Sequence, residues 1–197
     1  MRLFVTGTDT DVGKTVAATV LAVGFGAKYW KPVQTGAPAD SDFVRRWIPE
    51  DRVVPERWRF PLPASPHLAA RASGQAIDFH GQIEAPEGPA LIVEGAGGIL
   101  VPLNARHFVV DLIRALQVPA VVVVRPRLGA INHALLTFEA LRSRAIPIAG
   151  FISNGDERPE MTESIAHYGD VPHLGHLPHT EEFTKEWFHE CFARLRF

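Results

Sequence analysis

The fold is decided by residues 7–15, which read GTDTDVGKT. The residues before them, 2–6, predict a short β-strand, and residues 13–23 have the apolar spacing of a helix. A glycine-containing turn between a strand and a helix collects backbone N–H groups and the positive end of the helix at one point. Such a point binds phosphate, with Lys14 reaching the terminal phosphates and the Thr15 hydroxyl available to Mg²⁺. The stretch therefore predicts a nucleotide-binding α/β protein.

Further apolar runs alternate with helical segments along the chain. Two of them, LIVE and AVVVV, contain almost no polar position, which is typical of strands covered by helices on both faces. The alternation predicts one α/β domain over residues 1–197, with a doubly wound, mostly parallel sheet and helices on both faces. The predicted strands are residues 2–6, 29–33, 90–93, 120–124 and 148–153. The predicted helices are residues 13–23, 42–47, 66–72, 109–116 and 130–144, with an amphipathic helix in the tail 180–197.

The composition excludes several classes of protein. The chain has 197 residues, 46% of them hydrophobic, which is enough for one sizeable core. A net charge of -2 gives no overall field that would attract nucleic acid or an anionic membrane. Cys191 is the single cysteine, so no internal disulfide forms, and no apolar run is long enough to span a bilayer. We therefore expect a cytoplasmic enzyme without nucleic-acid or membrane partners.

Polar residues stand where two other predicted strands end. Residues 90–93 run into Glu94 and then into glycines, which let a backbone approach a ligand closely. Lys31 and Thr35 lie at the end of the second strand, ahead of an acidic segment at 40–42. Because ligands of a doubly wound sheet collect at the carboxyl ends of its strands, we expect these groups to face the crevice of the phosphate loop. A satisfied strand-end carboxylate and a solvated lysine are the alternative interpretations of the same residues.

Motifs spread in order over almost the whole chain resemble the dethiobiotin synthetase family, a branch of the P-loop NTPases. They are GTDTDVGKT (7–15), KPVQTG (31–36), SD (41–42), SPH (65–67), VEGAGG (93–98), LGAINHALLT (128–137) and GFISN (150–154). The combination of LGAINH, VEGAGG and KPV is far more specific than the phosphate loop alone. The resemblance implies a fold of the P-loop NTPase type and an enzyme of biotin synthesis.

The resemblance also implies a reaction, in which 7,8-diaminononanoate, carbon dioxide and ATP become dethiobiotin, ADP and phosphate. One amine captures carbon dioxide as a carbamate, which takes the γ-phosphoryl group as a mixed anhydride. The second amine then attacks and closes a cyclic urea. Phosphoryl transfer depends mainly on positioning and on neutralising oxygens, so Mg²⁺ and nearby cations supply most of the catalysis. Members of the family are homodimers with the substrate near the subunit interface.

By resemblance, the chain's residues take the following roles. Lys31 and Lys14 flank the transferring phosphoryl group as the catalytic residues. The magnesium ligands are Thr15, Asp42 and Glu94. The substrate-binding residues are Thr8, Lys31, Thr35, Leu128, Gly129 and Asn132, the last three acting across the dimer interface. The nucleotide-binding residues are Asp11, Val12, Gly13, Lys14, Thr15, Val16, Asp42, Glu94, Gly95, Ala96, Gly97, Asn154, Pro178, His179 and Thr180, of which Asn154 reads the base and the last three line it.

Two other classes of protein share this type of loop. Cobyrinate and cobyrate amidotransferases carry a long glutaminase domain with a nucleophilic cysteine, and the single Cys191 near the end of this chain does not fit one. A nucleotide-switch ATPase of the partitioning or division-site type is the alternative function. Its signature places a lysine early in the loop, where this sequence has Asp9. A switch protein would turn over ATP without any dependence on the diamine.

Overall fold

The phosphate loop follows the central strand of a seven-stranded sheet. A computed structural model describes residues 1–197. The strands are β1 (Arg2–Gly7), β2 (Lys28–Trp30), β3 (Val33–Thr35), β4 (Val53–Val54), β5 (Trp58–Phe60), β6 (Leu91–Gly98), β7 (Ala120–Val124), β8 (Ile148–Gly155) and β9 (His173–Pro178). The helices are α1 (Lys14–Gly24), α2 (Asp40–Val44), α3 (Pro66–Ala72), α4 (Val109–Leu116), α5 (Ala130–Arg142), α6 (Pro159–Gly169) and α7 (Lys185–Ala193). None of these helices is both long enough and apolar enough to span a bilayer.

The main sheet has the strand order β4-β2-β6-β1-β7-β8-β9, and every neighbouring pair in it is parallel. The strand β1 lies between β6 and β7, so the chain crosses β1 when it passes from one half of the sheet to the other. In open α/β sheets, ligands bind outside the carboxyl ends of the strands at such a switch point. The predicted doubly wound architecture is confirmed, with a main sheet that is entirely parallel.

Helices cover both faces of this sheet, as predicted. Neighbouring residues of β1 enter different cores: Phe4 packs with α3 to α6, while Val5 packs with α1, α2 and α7. Because side chains alternate along a strand, a strand buried on both faces needs apolar residues at consecutive positions. The runs of valine and isoleucine in β7 and β6 meet this need.

The second predicted strand is wrong in its extent. Residues 29–33 do not form one strand, because β2 ends at Trp30 and β3 begins at Val33 in a separate two-stranded sheet with β5. Pro32 has no N–H to donate to the main sheet, and its carbonyl instead accepts from the backbone of Trp58 at 2.9 Å. The chain therefore leaves the main sheet at Lys31, directly beside the phosphate loop.

Several other boundaries differ from the prediction. The strands β4, β5 and β9 and the helix α6 were not predicted, since their sequences are short or interrupted by glycine and proline. The helix α2 begins at Asp40, two residues before the predicted start, and ends at Val44. In the tail only Lys185–Ala193 is helical, starting where the Thr184 hydroxyl accepts a hydrogen bond from the Trp187 N–H at 3.1 Å. The helix α4 has the predicted bounds.

The terminal helix α7 packs closely on α1. A Cβ atom at Gly24 would lie 2.0 Å from the ring of Phe192, so only glycine allows the two helices to approach this far. Cys191 lies in the same core, and burial raises the pKa of its thiol to about 11. A thiol with such a pKa is unreactive at neutral pH, which indicates a structural role.

Candidate functional site

The phosphate loop has the backbone of a ligand cradle. Gly13 adopts a φ of 97°, and a Cβ there would lie 2.1 Å from Nδ2 of Asn154. The same nitrogen donates to the carbonyl of Val12 at 3.0 Å. The end of β8 thus supports the loop from one side, while α1 presents its N-terminus to the crevice on the other.

Lys14 is the cation of this loop. Its side chain is buried, and its ammonium donates to the carbonyl of Asp9 at 2.9 Å. Burial lowers the pKa of Lys14, against the opposing effect of the Glu94 carboxylate. Asp9 in turn forms an ion pair of 3.1 Å with Arg127, which joins the loop to the segment before α5. The ammonium is therefore held inside the loop, at the position where bound phosphates need a counter-charge.

Glu94 is the point at which three structural elements meet. Its side chain is fully buried in β6, four residues before that strand ends at Gly98. Oε1 accepts from the Thr15 hydroxyl at 2.9 Å and from the Lys31 ammonium at 3.2 Å. Oε2 accepts from the Tyr29 phenol at 2.8 Å. Burial raises the pKa of Glu94, and the charge of Lys31 opposes this rise.

Lys31 is fixed between two carboxylates. It is only 6% exposed and forms ion pairs with Glu94 and Asp40. Burial alone would lower the pKa of Lys31, but Glu94 and Asp40 together outweigh burial and raise it. Gln34 supports this arrangement because its side-chain carbonyl accepts from the Asp40 N–H at 3.2 Å. Lys31 therefore carries its positive charge throughout the neutral pH range.

These groups line one crevice of about 740 Å³. Four of its 20 lining residues are hydrophobic, so its walls suit a charged, polar ligand. Asp11 and Gly13 line it from the phosphate loop, and Thr35 lines it from β3. Ala96 and Gly97 close it from the end of β6. Val12, Val16 and Gly95 do not line it and pack beneath it.

Asp42 does not line the crevice. Its Oδ2 accepts from the N–H of Ala39 at 3.2 Å, and its Oδ1 pairs with Arg45 at 2.9 Å. Asp40, two residues earlier, is the carboxylate of α2 that reaches Lys31. Residues two apart in a helix point in nearly opposite directions, and in this structure Asp40 is the one that faces the crevice.

The other expected substrate residues lie away from this crevice. Thr8 lines a second cavity of about 430 Å³ between the phosphate loop and α5. Gly129 is the N-cap of α5, and Asn132 lies in its first turn, exposed to solvent. Leu128 is fully exposed. A single copy of the chain does not bring these three residues to the first crevice.

The residues expected to line the base lie at the far edge of the sheet. Gly155 of β8 pairs with Pro178 of β9, which places His179 and Thr180 beyond the carboxyl end of β9. Asn154 is the member of this group that contacts the phosphate loop. Residues 178–180 therefore lie at the carboxyl ends of the strands, on the far side of β8 from the phosphate loop.

Three residues of the site were missed by the motifs: Tyr29, Gln34 and Asp40. Tyr29 had a usable signal, because it stands two residues before Lys31 and a strand places such residues on the same face. Asp40 was part of the acidic segment, but the helix register that selects it over Asp42 is visible only in the folded chain. Gln34 lies within the KPVQTG motif, but nothing in the motif indicates its contact with the Asp40 backbone.

Comparison with known proteins identifies a family model and similar enzymes. Residues 1–186 match the family described as AAA domain. The chain is 46% identical over 200 residues to the ATP-dependent dethiobiotin synthetase BioD of Brucella ovis, covering 98% of this chain and 93% of that one. It is 48% identical over 202 residues to the enzyme of the same name from Brucella abortus, with the same coverage.

Solved structures with a similar fold are more distant in sequence. The cell division ATPase MinD of Pyrococcus furiosus aligns with a TM-score of 0.55 at 14% identity, covering 98% of this chain and 97% of that one. A ParA family ATPase from Chlorobium tepidum aligns with a TM-score of 0.51 at 16% identity, covering 98% and 91%. These likenesses concern the fold alone. The fold is of the P-loop NTPase type, as predicted.

Proposed function

The chain belongs to the ATP-dependent dethiobiotin synthetase family, and we propose that the crevice around Glu94 is where it closes the ring. The reaction joins 7,8-diaminononanoate and carbon dioxide into dethiobiotin, with ATP converted to ADP and phosphate. The observation that carries this assignment is the buried Glu94 carboxylate, which contacts both Thr15 of the phosphate loop and Lys31. Residues 1–197 act as one domain, and the ATP requirement and the free Cys191 fit the cytoplasm.

The phosphate loop holds ATP in this proposal. The backbone N–H groups from Asp11 to Thr15 and the N-terminus of α1 bind the phosphates, and Lys14 neutralises the outer ones. Lys14 donates to the carbonyl of Asp9 without a ligand, and a bound phosphate would take over that hydrogen bond. The contact is made to substrate and product alike, so it serves binding as well as turnover.

The oxygens beside the loop fit a magnesium ion. Thr15 and Glu94 present a hydroxyl and a carboxylate 2.9 Å apart, and both are the hard oxygen ligands that Mg²⁺ prefers. Mg²⁺ commonly keeps several waters and takes further ligands from substrate phosphates, so a hydroxyl and one or two carboxylates suffice on the protein side. When bound there, Mg²⁺ would neutralise charge on the phosphate oxygens.

In this proposal the second acidic ligand is Asp42, after its side chain turns away from Arg45. That ion pair is partly solvent-exposed, and such pairs contribute only about 0 to 1 kcal/mol, so ligand binding can break it. Asp40 is instead committed to Lys31, whose charge it holds at the crevice wall. The two carboxylates of α2 thus serve different partners.

Lys31 acts on the transferring phosphoryl group. Its ammonium is buried, charged and fixed by two carboxylates before any substrate binds. Such preorganised charge stabilises the oxygens of the carbamate and the γ-phosphoryl group as bonds form and break between them. Thr35 lines the same crevice and contacts the carbamate or the diamine.

The remaining substrate contacts come from a second copy of the chain. Leu100 and Leu136 line the second cavity with Thr8, yet both are about half exposed, and Leu128 beside α5 is fully exposed. Monomeric proteins rarely leave apolar side chains gathered in this way. We assign this face to a twofold dimer in which Leu128, Gly129 and Asn132 of one subunit hold the carboxylate tail of the other's substrate.

Asn154 reads the base of the nucleotide. One of its two amide N–H groups donates to the carbonyl of Val12, and its Oδ1 is available to accept from an amino group such as that of adenine. The residues 178–180, next to Gly155 across the β8–β9 pair, line the same base.

The reaction is tested by mass spectrometry of the products formed from ATP, Mg²⁺, bicarbonate and diaminononanoate. Dethiobiotin and ADP should appear in equal amounts, because one phosphoryl transfer closes one ring. ATP hydrolysis that proceeds at the same rate without the diamine, with no dethiobiotin formed, would favour the nucleotide-switch function instead.

Substitution of the two lysines should affect kcat and ATP affinity differently. Lys31→Gln is expected to lower kcat roughly 10²- to 10³-fold with near-normal ATP affinity, because its contact forms chiefly in the transition state. Lys14→Gln should weaken ATP binding as well as turnover. Calorimetry and initial rates measure the two effects, with the exposed Lys185→Gln as the matched control. A Lys31→Gln enzyme that keeps its kcat and loses only ATP affinity would make Lys31 a binding residue.

Substitutions of the acidic residues should differ in how they change the Mg²⁺ concentration that the enzyme requires. Glu94→Gln and Asp42→Asn are expected to raise the Mg²⁺ concentration needed for half-maximal rate, because each replaces an anionic oxygen by a neutral one. Asp40→Asn should lower kcat and leave the Mg²⁺ requirement unchanged. Rates measured across a Mg²⁺ titration decide between them. An unchanged requirement in Asp42→Asn, with a raised one in Asp40→Asn, would transfer the ligand role to Asp40.

The dimer should be visible in solution and in activity. Sedimentation equilibrium is expected to give twice the mass of 21.7 kDa, and Leu136→Glu should dissociate the pair by charging its apolar face. Tyr168→Glu, a similar change on the exposed side of α6, is the control. Mixing inactive Asn132→Ala and Lys31→Ala subunits should restore part of the activity. A monomer that is fully active at nanomolar concentration would contradict the dimer.

A further inference from the structure

Tyr29 is a buried phenol that none of these roles uses. Its side chain is fully buried beneath α1, and its hydroxyl donates to Oε2 of Glu94 at 2.8 Å. Tyr29 of β2 and Ile92 of β6 are partners in the parallel register, and both enter the same core. Glu94 stands two residues beyond Ile92, on the same face of the sheet. The ring therefore extends along the sheet surface and meets the Glu94 carboxylate.

The hydrogen bonds divide the two oxygens of Glu94 between the core and the crevice. Oε1 accepts from Thr15 and Lys31, both of which line the crevice. Oε2 accepts only from Tyr29, on the side of the core. A carboxylate can rotate about its last bond, so the donor on one oxygen decides where the other points. A tyrosine ring packed in a strand is a rigid donor, since its two side-chain torsions are fixed by the surrounding core.

We infer that Tyr29 is a positioning residue for the magnesium site: its hydroxyl holds Glu94 so that Oε1 faces Thr15 and the crevice. The inference rests on the proposed role of Glu94 as a magnesium ligand. Metal-binding carboxylates are commonly oriented by a hydrogen-bond donor behind them, and loss of that donor typically weakens metal affinity or activity about 10- to 100-fold.

A role in packing alone makes a different prediction. Phenylalanine fills nearly the same volume, so Tyr29→Phe keeps the apolar contacts with the core and removes only the donor to Oε2. If the hydroxyl served stability alone, its loss would lower the unfolding temperature without a change in metal affinity. If it positions Glu94, the metal affinity falls as well.

The test is the affinity of the ADP-bound protein for Mn²⁺, read from the electron paramagnetic resonance of the free ion. Tyr29→Phe should weaken Mn²⁺ binding about 10- to 100-fold. Its ADP affinity in the presence of a chelator should stay unchanged, because the phosphate loop itself is intact. Tyr168→Phe is a matched control, since Tyr29 and Tyr168 are the two tyrosines of the chain and Tyr168 is 71% exposed. This control should bind Mn²⁺ as tightly as the unaltered protein.

Glu94→Gln, measured in the same way, separates the two hypotheses. If Glu94→Gln weakens Mn²⁺ binding and Tyr29→Phe does not, the role of Tyr29 is overturned while the magnesium site stands. If Glu94→Gln has no effect, the magnesium assignment itself fails, and this inference fails with it. If Tyr29→Phe does not fold, the double variant Tyr29→Phe/Glu94→Gln is made. Recovery of the fold in this double variant would support the hydrogen-bonded link between the Tyr29 phenol and the Glu94 carboxylate. A fold that the second change does not recover would overturn that link.

Discussion

The site is organised by one buried carboxylate, that of Glu94 in the middle of β6. A charged group removed from water is costly unless it is paired and hydrogen-bonded. Glu94 therefore needs the hydroxyl of Thr15, the ammonium of Lys31 and the phenol of Tyr29 around it. These three donors come from α1, β2 and the bend after β2. A single electrostatic requirement therefore fixes the relative positions of the phosphate loop, the sheet and Lys31.

The same requirement accounts for the loop that follows Lys31. Lys31 is itself buried, and Glu94 supplies only part of the negative charge that it needs. Asp40 supplies the rest from the first residue of α2, and Gln34 fixes the backbone of Asp40 from β3. The proline at position 32 ends the main sheet at the point where Lys31 must turn toward the crevice. Removing one partner from a buried ion pair typically lowers the free energy of unfolding by about 3 to 5 kcal/mol. The positions of Lys31, Glu94 and Asp40 therefore depend on one another.

The comparison with division and partitioning ATPases shows how little the fold says about the reaction. Those proteins share the fold at 14–16% identity, and a likeness of the fold alone does not carry a reaction with it. In our proposal, the features that serve the synthetase reaction lie elsewhere. They are the buried Lys31 between two carboxylates and the exposed apolar face beside α5, where a second subunit completes the site in our proposal.

The sequence by itself determined the elements whose signals are local. Three such features were predicted from neighbouring residues alone. They are the phosphate loop between β1 and α1, the strands β6 and β7 with apolar residues toward both faces, and the helix α4 with its helical spacing of apolar residues. The resemblance of the motifs indicated the reaction. Tertiary structure decided what depends on distant contacts. It ended β2 at Trp30, turned Asp40 and not Asp42 toward Lys31, and brought Tyr29 to Glu94 across 65 positions of the chain. Helix register and strand pairing set these contacts, and both are fixed only when the whole sheet packs.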